Sequence, residues 1–244
     1  MSGTQTGHIF GAETSLLSAV NVSDPNNMSV SGAVAVLAPA NGIAYSSTLS
    51  GNTAYVSYGY HVRAIDITSP SAMTELGSIS ISDTAVVKKV VVKDNIVFAA
   101  TRYGGLRPIN FEDPANPAFL TTVIEDRTND VAISGIYIYA ATANNGIGIV
   151  NVATANSPTL IGYATGSTDN SRYGEGVAAF GNTMVQSTWG ALYFYDISSP
   201  ESPTLQDTVA LVTGTSWLSL DAGHAYVHDF DTLRIYDISD LTNV

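Results

Sequence analysis

Residues 192–200 read Leu-Tyr-Phe-Tyr-Asp-Ile-Ser-Ser-Pro. An apolar run meets one aspartate, then one more apolar residue, then a polar turn closed by proline. A strand that is apolar on both sides of its pleat is one covered on both faces. Asp, Ser and Pro at its end each favour a tight turn. The same pattern recurs at 18–25 (Ser-Ala-Val-Asn-Val-Ser-Asp-Pro), 63–70 (Arg-Ala-Ile-Asp-Ile-Thr-Ser-Pro) and 107–114 (Arg-Pro-Ile-Asn-Phe-Glu-Asp-Pro). It returns without the proline at 149–154 (Ile-Val-Asn-Val-Ala-Thr) and 235–240 (Ile-Tyr-Asp-Ile-Ser-Asp).

The repeated acidic or amide residues are Asn21, Asp66, Asn110, Asn151, Asp196 and Asp237, separated by 45, 44, 41, 45 and 41 residues. A period of roughly 40–45 residues is the size of a propeller blade, four short strands with their turns. The blade contents follow. After each motif comes a short β segment, such as Pro-Thr-Leu-Gln-Asp-Thr-Val at 203–209. A strand ending in a tight turn is next, with Gly, Asn or Asp at 50–53, 93–95, 134–135, 181–183 and 221–223. These residues tolerate the positive φ of two-residue hairpin loops. Strands rich in β-branched and aromatic residues come after the turns, at 54–58, 96–100, 137–141, 184–188 and 225–228. No stretch shows a capped 3.6-residue period, so no helix is expected.

The expected fold is therefore all-β: one β-propeller domain over 1–244, with six blades of four-stranded antiparallel sheet. The motif strands fall at 18–22, 63–67, 107–111, 148–152, 192–197 and 233–238. With strands lettered A to D from the axis outward, the motif lies on C. Residues 8–12 read as a B strand, and little follows the last motif strand. One A strand and one D strand are thus expected to be missing from the first and last blades. Residues 1–7 or a neighbouring subunit are the two candidates to fill the gap. The motif residue itself is read as structural: at a strand end it accepts backbone N–H groups and starts the turn.

Composition narrows the function. The net charge is −12, and the three lysines are Lys88, Lys89 and Lys93. Such a chain repels phosphate backbones and anionic lipid, so neither nucleic-acid binding nor electrostatic membrane docking is expected. Charged residues are only 12% of the chain, so its polar surface is built of Ser, Thr, Asn and Gly. Cysteine is absent, which excludes disulfides and thiolate metal sites. No apolar run reaches the roughly 18 residues a membrane span requires, and the opening residues show no signal-peptide pattern.

The motifs resemble the LVIVD repeat, a propeller-forming repeat of bacterial and archaeal surface proteins. Residues 149–152, 192–203 and 65–70 carry the resemblance, which runs from about residue 15 to 240. It implies a propeller, a cell-surface or extracellular setting and an interaction role. It implies no catalytic residues.

In such a blade the B–C and D–A loops fall on one face. The ligand or partner face is therefore expected to carry Tyr58, Tyr60, Arg102, Tyr103, Asp126, Arg127, Arg172, Tyr173, Trp189 and Asp229. Aromatic rings, guanidinium groups and carboxylates suit a protein or glycan partner, through stacking and paired hydrogen bonds. Arg63, Arg107 and Arg234, each three residues before a motif Asx, are expected to cover apolar surface and meet carboxylates of the next blade. His224 and His228 share one strand face, a spacing also used by metal ligands. No metal, cofactor or catalytic set is expected. Residues 169–171 and the sequons at Asn21 and Asn27 are patterns only.

The leading reading is a non-enzymatic, extracellular or surface-exposed module of a cell envelope, filament or virion, with a protein partner or self-assembly through its incomplete blade edges. The alternatives are a glycan-binding propeller, and a sugar-lyase or lactonase-type enzyme working at the channel mouth with carboxylates such as Asp126 or Asp229.

Overall fold

The computed structural model describes residues 8–13, 15–35, 43–81, 85–165, 174–211, 214–215, 217–229 and 231–244. Among them the strands form six antiparallel sheets, in each of which a strand pairs only with its neighbours in sequence. The first sheet holds β1 (His8–Glu13), β2 (Leu16–Asn21) and β3 (Ser29–Ala35). The second holds β4 (Ala44–Ser50), β5 (Thr53–Tyr58), β6 (His61–Asp66) and β7 (Thr74–Ser80). The third holds β8 (Val87–Lys93), β9 (Ile96–Thr101), β10 (Gly105–Asn110) and the short β11 (Ala118–Phe119). The fourth holds β12 (Thr128–Ser134), β13 (Tyr137–Thr142), β14 (Gly146–Asn151) and β15 (Thr159–Ala164). The fifth holds β16 (Gly176–Phe180), β17 (Thr183–Ser187), β18 (Ala191–Asp196) and β19 (Thr204–Ala210). The last holds β20 (Trp217–Asp221), β21 (His224–Asp229) and β22 (Thr232–Asp237).

These meanders are the blades of a β-propeller-like fold. The first sheet starts at the second strand of a blade and the last stops at the third, so each has three strands. Residues 1–7, a candidate substitute strand, lie outside the described residues.

The motif strands begin one or two residues earlier than their sequence boundaries and stop at the Asx. The reason is a hydrogen bond repeated in every sheet. The Asx side-chain oxygen accepts the backbone N–H two residues on. Ser23 donates to Asn21 at 2.9 Å, Thr68 to Asp66 at 2.8 Å and Glu112 to Asn110 at 2.7 Å. Ala153 donates to Asn151 at 2.8 Å, Ser198 to Asp196 at 2.7 Å and Ser239 to Asp237 at 2.9 Å. A strand ladder cannot continue through an N–H already turned back on the chain. The bonds from Thr68 and Ser239 hold Asp66 and Asp237 below the usual carboxylate range.

A second turn follows three residues after each Asx, closed by Asn27 to Asp24, Ala72 to Ser69, Asn116 to Asp113, Ser157 to Thr154, Ser202 to Ser199 and Asn243 to Asp240. The copies at Asn151 and Asp237 make both turns without proline, because the side-chain acceptor, not a fixed φ, starts them. The residue after the Asx ties the motif to the far end of its own sheet. Ile67, Phe111, Val152, Ile197 and Ile238 donate to the carbonyls of Asn52, Asn95, Ile136, Asn182 and Gly223 at 2.8–2.9 Å. Their side chains are all buried. The hairpins that supply these carbonyls turn through positive φ, at Gly51, Gly135, Gly181 and Gly223, and at Asp94 and Asn95 together.

The chain divides into two compact units, residues 1–103 with 107–122, and residues 104–106 with 123–244. In the first unit Leu17 and Ala19 of β2 pack with Val56 and Ile65 of the second sheet. Val62 and Ala64 of β6 pack in turn with Val97 and Ile109 of the third. In the second unit Ile147 and Ile149 of β14 pack with Tyr193 and Tyr195 of β18. Leu192 and Phe194 of β18 then pack with Val227 and Ala225 of β21. One rule covers all four: motif positions two and four before the Asx face the following sheet. In the first unit the turn of the following sheet also sits on a strand glycine. A Cβ at Gly32 would strike the Pro70 carbonyl, and one at Gly77 the Pro114 carbonyl. No larger residue fits there.

Burial of the motif strand on both faces holds in β14 and β18, but β22 is largely exposed. Its Tyr236 packs with the fifth sheet, while Leu233 and Ile235 are 57% and 59% exposed. Asn151→Ala should cost about 0.5–1.5 kcal/mol, the usual worth of one hydrogen bond. Asn151→Asp keeps the acceptor and should stay within about 0.5 kcal/mol of the parent. Urea unfolding of both variants checks this.

Candidate functional site on the inter-strand loops

The loops joining the second and third strands of the fourth and fifth sheets are built by the same local chemistry. In the fifth sheet the Thr188 N–H donates to the Ala191 carbonyl at 2.9 Å, and the Thr188 hydroxyl accepts the Ala191 N–H at 3.2 Å. This closes a short loop with Trp189 at its tip, 65% exposed. The indole N–H donates to Glu175 Oε1 at 3.0 Å, which anchors the edge of the ring. In the fourth sheet Thr142 does the same work: its hydroxyl donates to the Gly146 carbonyl at 2.9 Å and accepts the Asn145 N–H at 3.2 Å.

Asp126 ties this loop to the connection before β12. Its carboxylate accepts the Asn144 N–H at 2.9 Å, the Asn144 amide at 2.7 Å and the Asn145 amide at 2.9 Å. Beside it Arg127 Nε donates to Asn129 Oδ1 at 3.1 Å, and the Asn129 amide donates to the Gly174 carbonyl at 2.8 Å. The second unit thus carries one hydrogen-bonded loop platform, with Asp126, Arg127 and Glu175 committed to holding it and Trp189 presented from it.

Sequence reasoning passed over Glu175, Asn129, Asn144 and Asn145 as site members. It also missed Asp130, whose carboxylate accepts its neighbour Val131 N–H at 2.7 Å and Val177 N–H of β16 at 3.0 Å. An aspartate inside a strand is disfavoured unless it has such partners, and that was the available signal.

In the first unit Tyr103 is 66% exposed, with the Arg102 guanidinium 5.6 Å from its ring centroid. Tyr60 is partly exposed. Tyr58 is not a surface residue: it is buried in the core shared by the first two sheets, because the last residue of β5 points between them. Asp229 is buried as well. It accepts from Arg234 Nε at 2.7 Å, and this hydrogen bond holds its carboxyl below the usual range. Arg172 and Tyr173, and residues 169–171, lie outside the described residues.

Two of the motif-strand arginines form ion pairs within their own sheet, where the expectation was a carboxylate of the next blade: Arg63 with Glu75 and Arg234 with Asp229. Cross-strand neighbours lie within reach of such side chains. His224 and His228 do share a face of β21, and among the described residues no group of three or more His, Asp or Glu is placed to hold a metal ion.

A separate crevice of about 380 Å³ opens between the fourth and fifth sheets, lined among others by Ile136, Tyr137, Tyr139, Asn182 and Pro200. The Tyr137 hydroxyl donates to Glu201 at 2.8 Å across it. Burial pushes the Tyr139 hydroxyl up to about 12. Neither tyrosine ionises near neutrality, so this crevice offers shape and hydrogen bonds.

The LVIVD repeat matches residues 41–80, 127–165 and 215–244. These segments contain the motif copies at Asp66, Asn151 and Asp237, two of which lack the turn proline. The copies at Asn21, Asn110 and Asp196 lie outside the matched segments but make the same turn. No curated protein matches the chain. Among solved structures, the chain is similar to a functionally unknown protein from Desulfotomaculum acetoxidans, at a TM-score of 0.76 and 11% identity, over 95% of this chain and 78% of that one. It is also similar to the computationally designed Ika8 protein, at a TM-score of 0.70 and 12% identity, over 97% of this chain and 70% of the other. At these identities the likeness is one of fold alone.

Asp229 yields a pH prediction. Its folded-state pKa is depressed, so the unfolded chain binds the proton more readily. Its contribution is therefore present above the unfolded carboxylate pKa and lost as pH falls through the folded one. Asp229→Asn should lower Tm at pH 7, and the gap from the parent should close on acidification. Thermal melts across that range measure it.

Proposed function

The chain carries LVIVD repeats folded as propeller blades, and from that premise we propose a non-enzymatic structural and interaction module, extracellular or exposed on a cell envelope, a filament or a virion. The observation that carries this reading is the last sheet. Among the described residues no strand pairs with the outer edge of β22, and Leu233 and Ile235 on it are 57% and 59% exposed. An unpaired strand edge with apolar side chains is a template for association. The paucity of charge fits a surface made for contact with other macromolecules.

The loop carboxylates support the same reading over a sugar-lyase or lactonase. A general acid at neutral pH needs a raised pKa. Asp229 is shifted the other way, and both oxygens of Asp126 are occupied by amide donors.

Light scattering over a range of concentrations tests the proposal. Dimers, or a mass that grows with concentration, are expected. A mass of one chain throughout would remove self-assembly and leave only an external partner.

One observation favours a second reading, a glycan-binding propeller. Trp189 offers an exposed ring whose edge is anchored by Glu175, the arrangement that stacking on a sugar ring requires. Under that reading Trp189→Ala should weaken glycan binding about two- to tenfold, the scale of one aromatic stacking contact. Titration on a glycan array reads it, and unchanged binding would remove Trp189 from the site.

A further inference from the structure

The fourth and fifth sheets meet differently from the sheet pairs of the first unit. Gly32, Gly77 and Gly162 share one register position, each opposite the residue two before its motif Asx. A Cβ at Gly32 or Gly77 would strike the turn carbonyl of Pro70 or Pro114 in the following sheet. Pro200 is the counterpart of these prolines, four residues after its own Asx. Yet a Cβ at Gly162 would meet nothing within 4 Å. The Pro200 carbonyl instead accepts the Tyr139 hydroxyl at 3.4 Å. The turn of the fifth sheet thus stands off the outer strand of the fourth, and the crevice of about 380 Å³ opens between the two sheets.

Both walls of this crevice belong to the second unit. Tyr139 and Ile197 are buried and form its floor. Ile136, 42% exposed, and the partly exposed Tyr137 and Pro200 form its walls. An apolar slot with a ring in its wall suits a flat side chain, because paired rings gain more than the area they bury.

The rim is acidic. Glu201, next to Pro200, accepts the Tyr137 hydroxyl at 2.8 Å. Asp196 accepts the Ser198 N–H at 2.7 Å and the Ser198 hydroxyl at 3.1 Å, in the turn that lines the crevice. No cation answers them among the described residues that line it. Neither Lys nor Arg occurs in residues 128–164 or 174–233. The charge of the chain is also shared unevenly. The second unit carries thirteen Asp and Glu against three Arg, and the first carries eight against six Lys and Arg. A field of one sign around an apolar slot draws in cations and repels anions.

We propose that this crevice docks a basic polypeptide segment. An aromatic side chain of the partner enters between Tyr137 and Pro200, and a neighbouring Lys or Arg pairs with Glu201. The inference rests on the interaction-module reading and gives it a partner chemistry; the edge of β22 plays no part in it. Exposed charge pairs are screened by salt, so the affinity should fall as ionic strength rises.

The test follows the isoleucine methyl resonances of the full chain by NMR during titration with the peptide acetyl-Arg-Phe-Arg amide. The methyls of Ile136 and Ile197 should shift with the ring current of the probe, while those of Ile79 and Ile235 stay in place. Acetyl-Arg-Ala-Arg amide should bind more weakly for want of the ring, and acetyl-Glu-Phe-Glu amide for its charge. Glu201 is exposed, so Glu201→Gln should keep the fold and weaken the Arg-Phe-Arg probe about two- to fivefold, the scale of an exposed ion pair. Glu201→Lys should weaken it further. Tyr137→Phe loses the hydroxyl that Glu201 accepts but keeps the ring and the carboxylate, and should leave the affinity within about twofold of the parent. Unmoved methyls at Ile136 and Ile197, equal movement at Ile79, or equal binding of the Glu-Phe-Glu probe would overturn the site. None of these outcomes touches the assembly reading, which the mass of the parent decides by itself.

Discussion

Everything in this molecule hangs on a hydrogen bond at the end of each motif strand. The Asx oxygen captures the N–H two residues on, the strand stops, and the next apolar residue is fixed with its N–H on the carbonyl of the hairpin across the sheet. That residue is buried in every blade where the hairpin is described. One local bond thereby sets the length of the third strand, the start of the fourth and the anchoring of the first two. Because the acceptor is a side chain within reach of its own backbone, the device needs no help from distant residues and works equally with Asn or Asp.

The sheets then depend on one another. Within each unit, the apolar positions two and four before an Asx are covered by the following sheet, and in the first unit the following turn also presses its carbonyl onto a strand glycine. Repeat proteins are stable as sums of such neighbour contacts.

The loop platform follows from a different constraint. Loops between strands contain backbone groups that must find partners. Thr142, Thr188, Asp126 and Asn129 satisfy them. Their polarity is spent on the fold, leaving exposed rings such as Trp189 and Tyr103 as the groups free to meet a partner. The residues that looked most chemical in the sequence, Asp126 and Asp229, are therefore structural acceptors in the tertiary structure.

The sequence alone determined the repeat, its period and the turn at each Asx. All of these are written in bonds and periodicities that span a few residues or one hairpin. It could not determine which faces are covered. Tyr58 and Tyr60 sit two residues apart, yet one is core and the other surface, because burial depends on which sheet lies opposite. Arg63 and Arg234 are legible as cations at one repeated motif-strand position, but the pairing of strands puts Glu75 and Asp229 beside them. Leu233 and Ile235 read as core residues, like their counterparts in every other repeat. Only the tertiary structure shows them exposed, since a hydrophobic side chain is buried by its neighbours in space and not by its place in a motif.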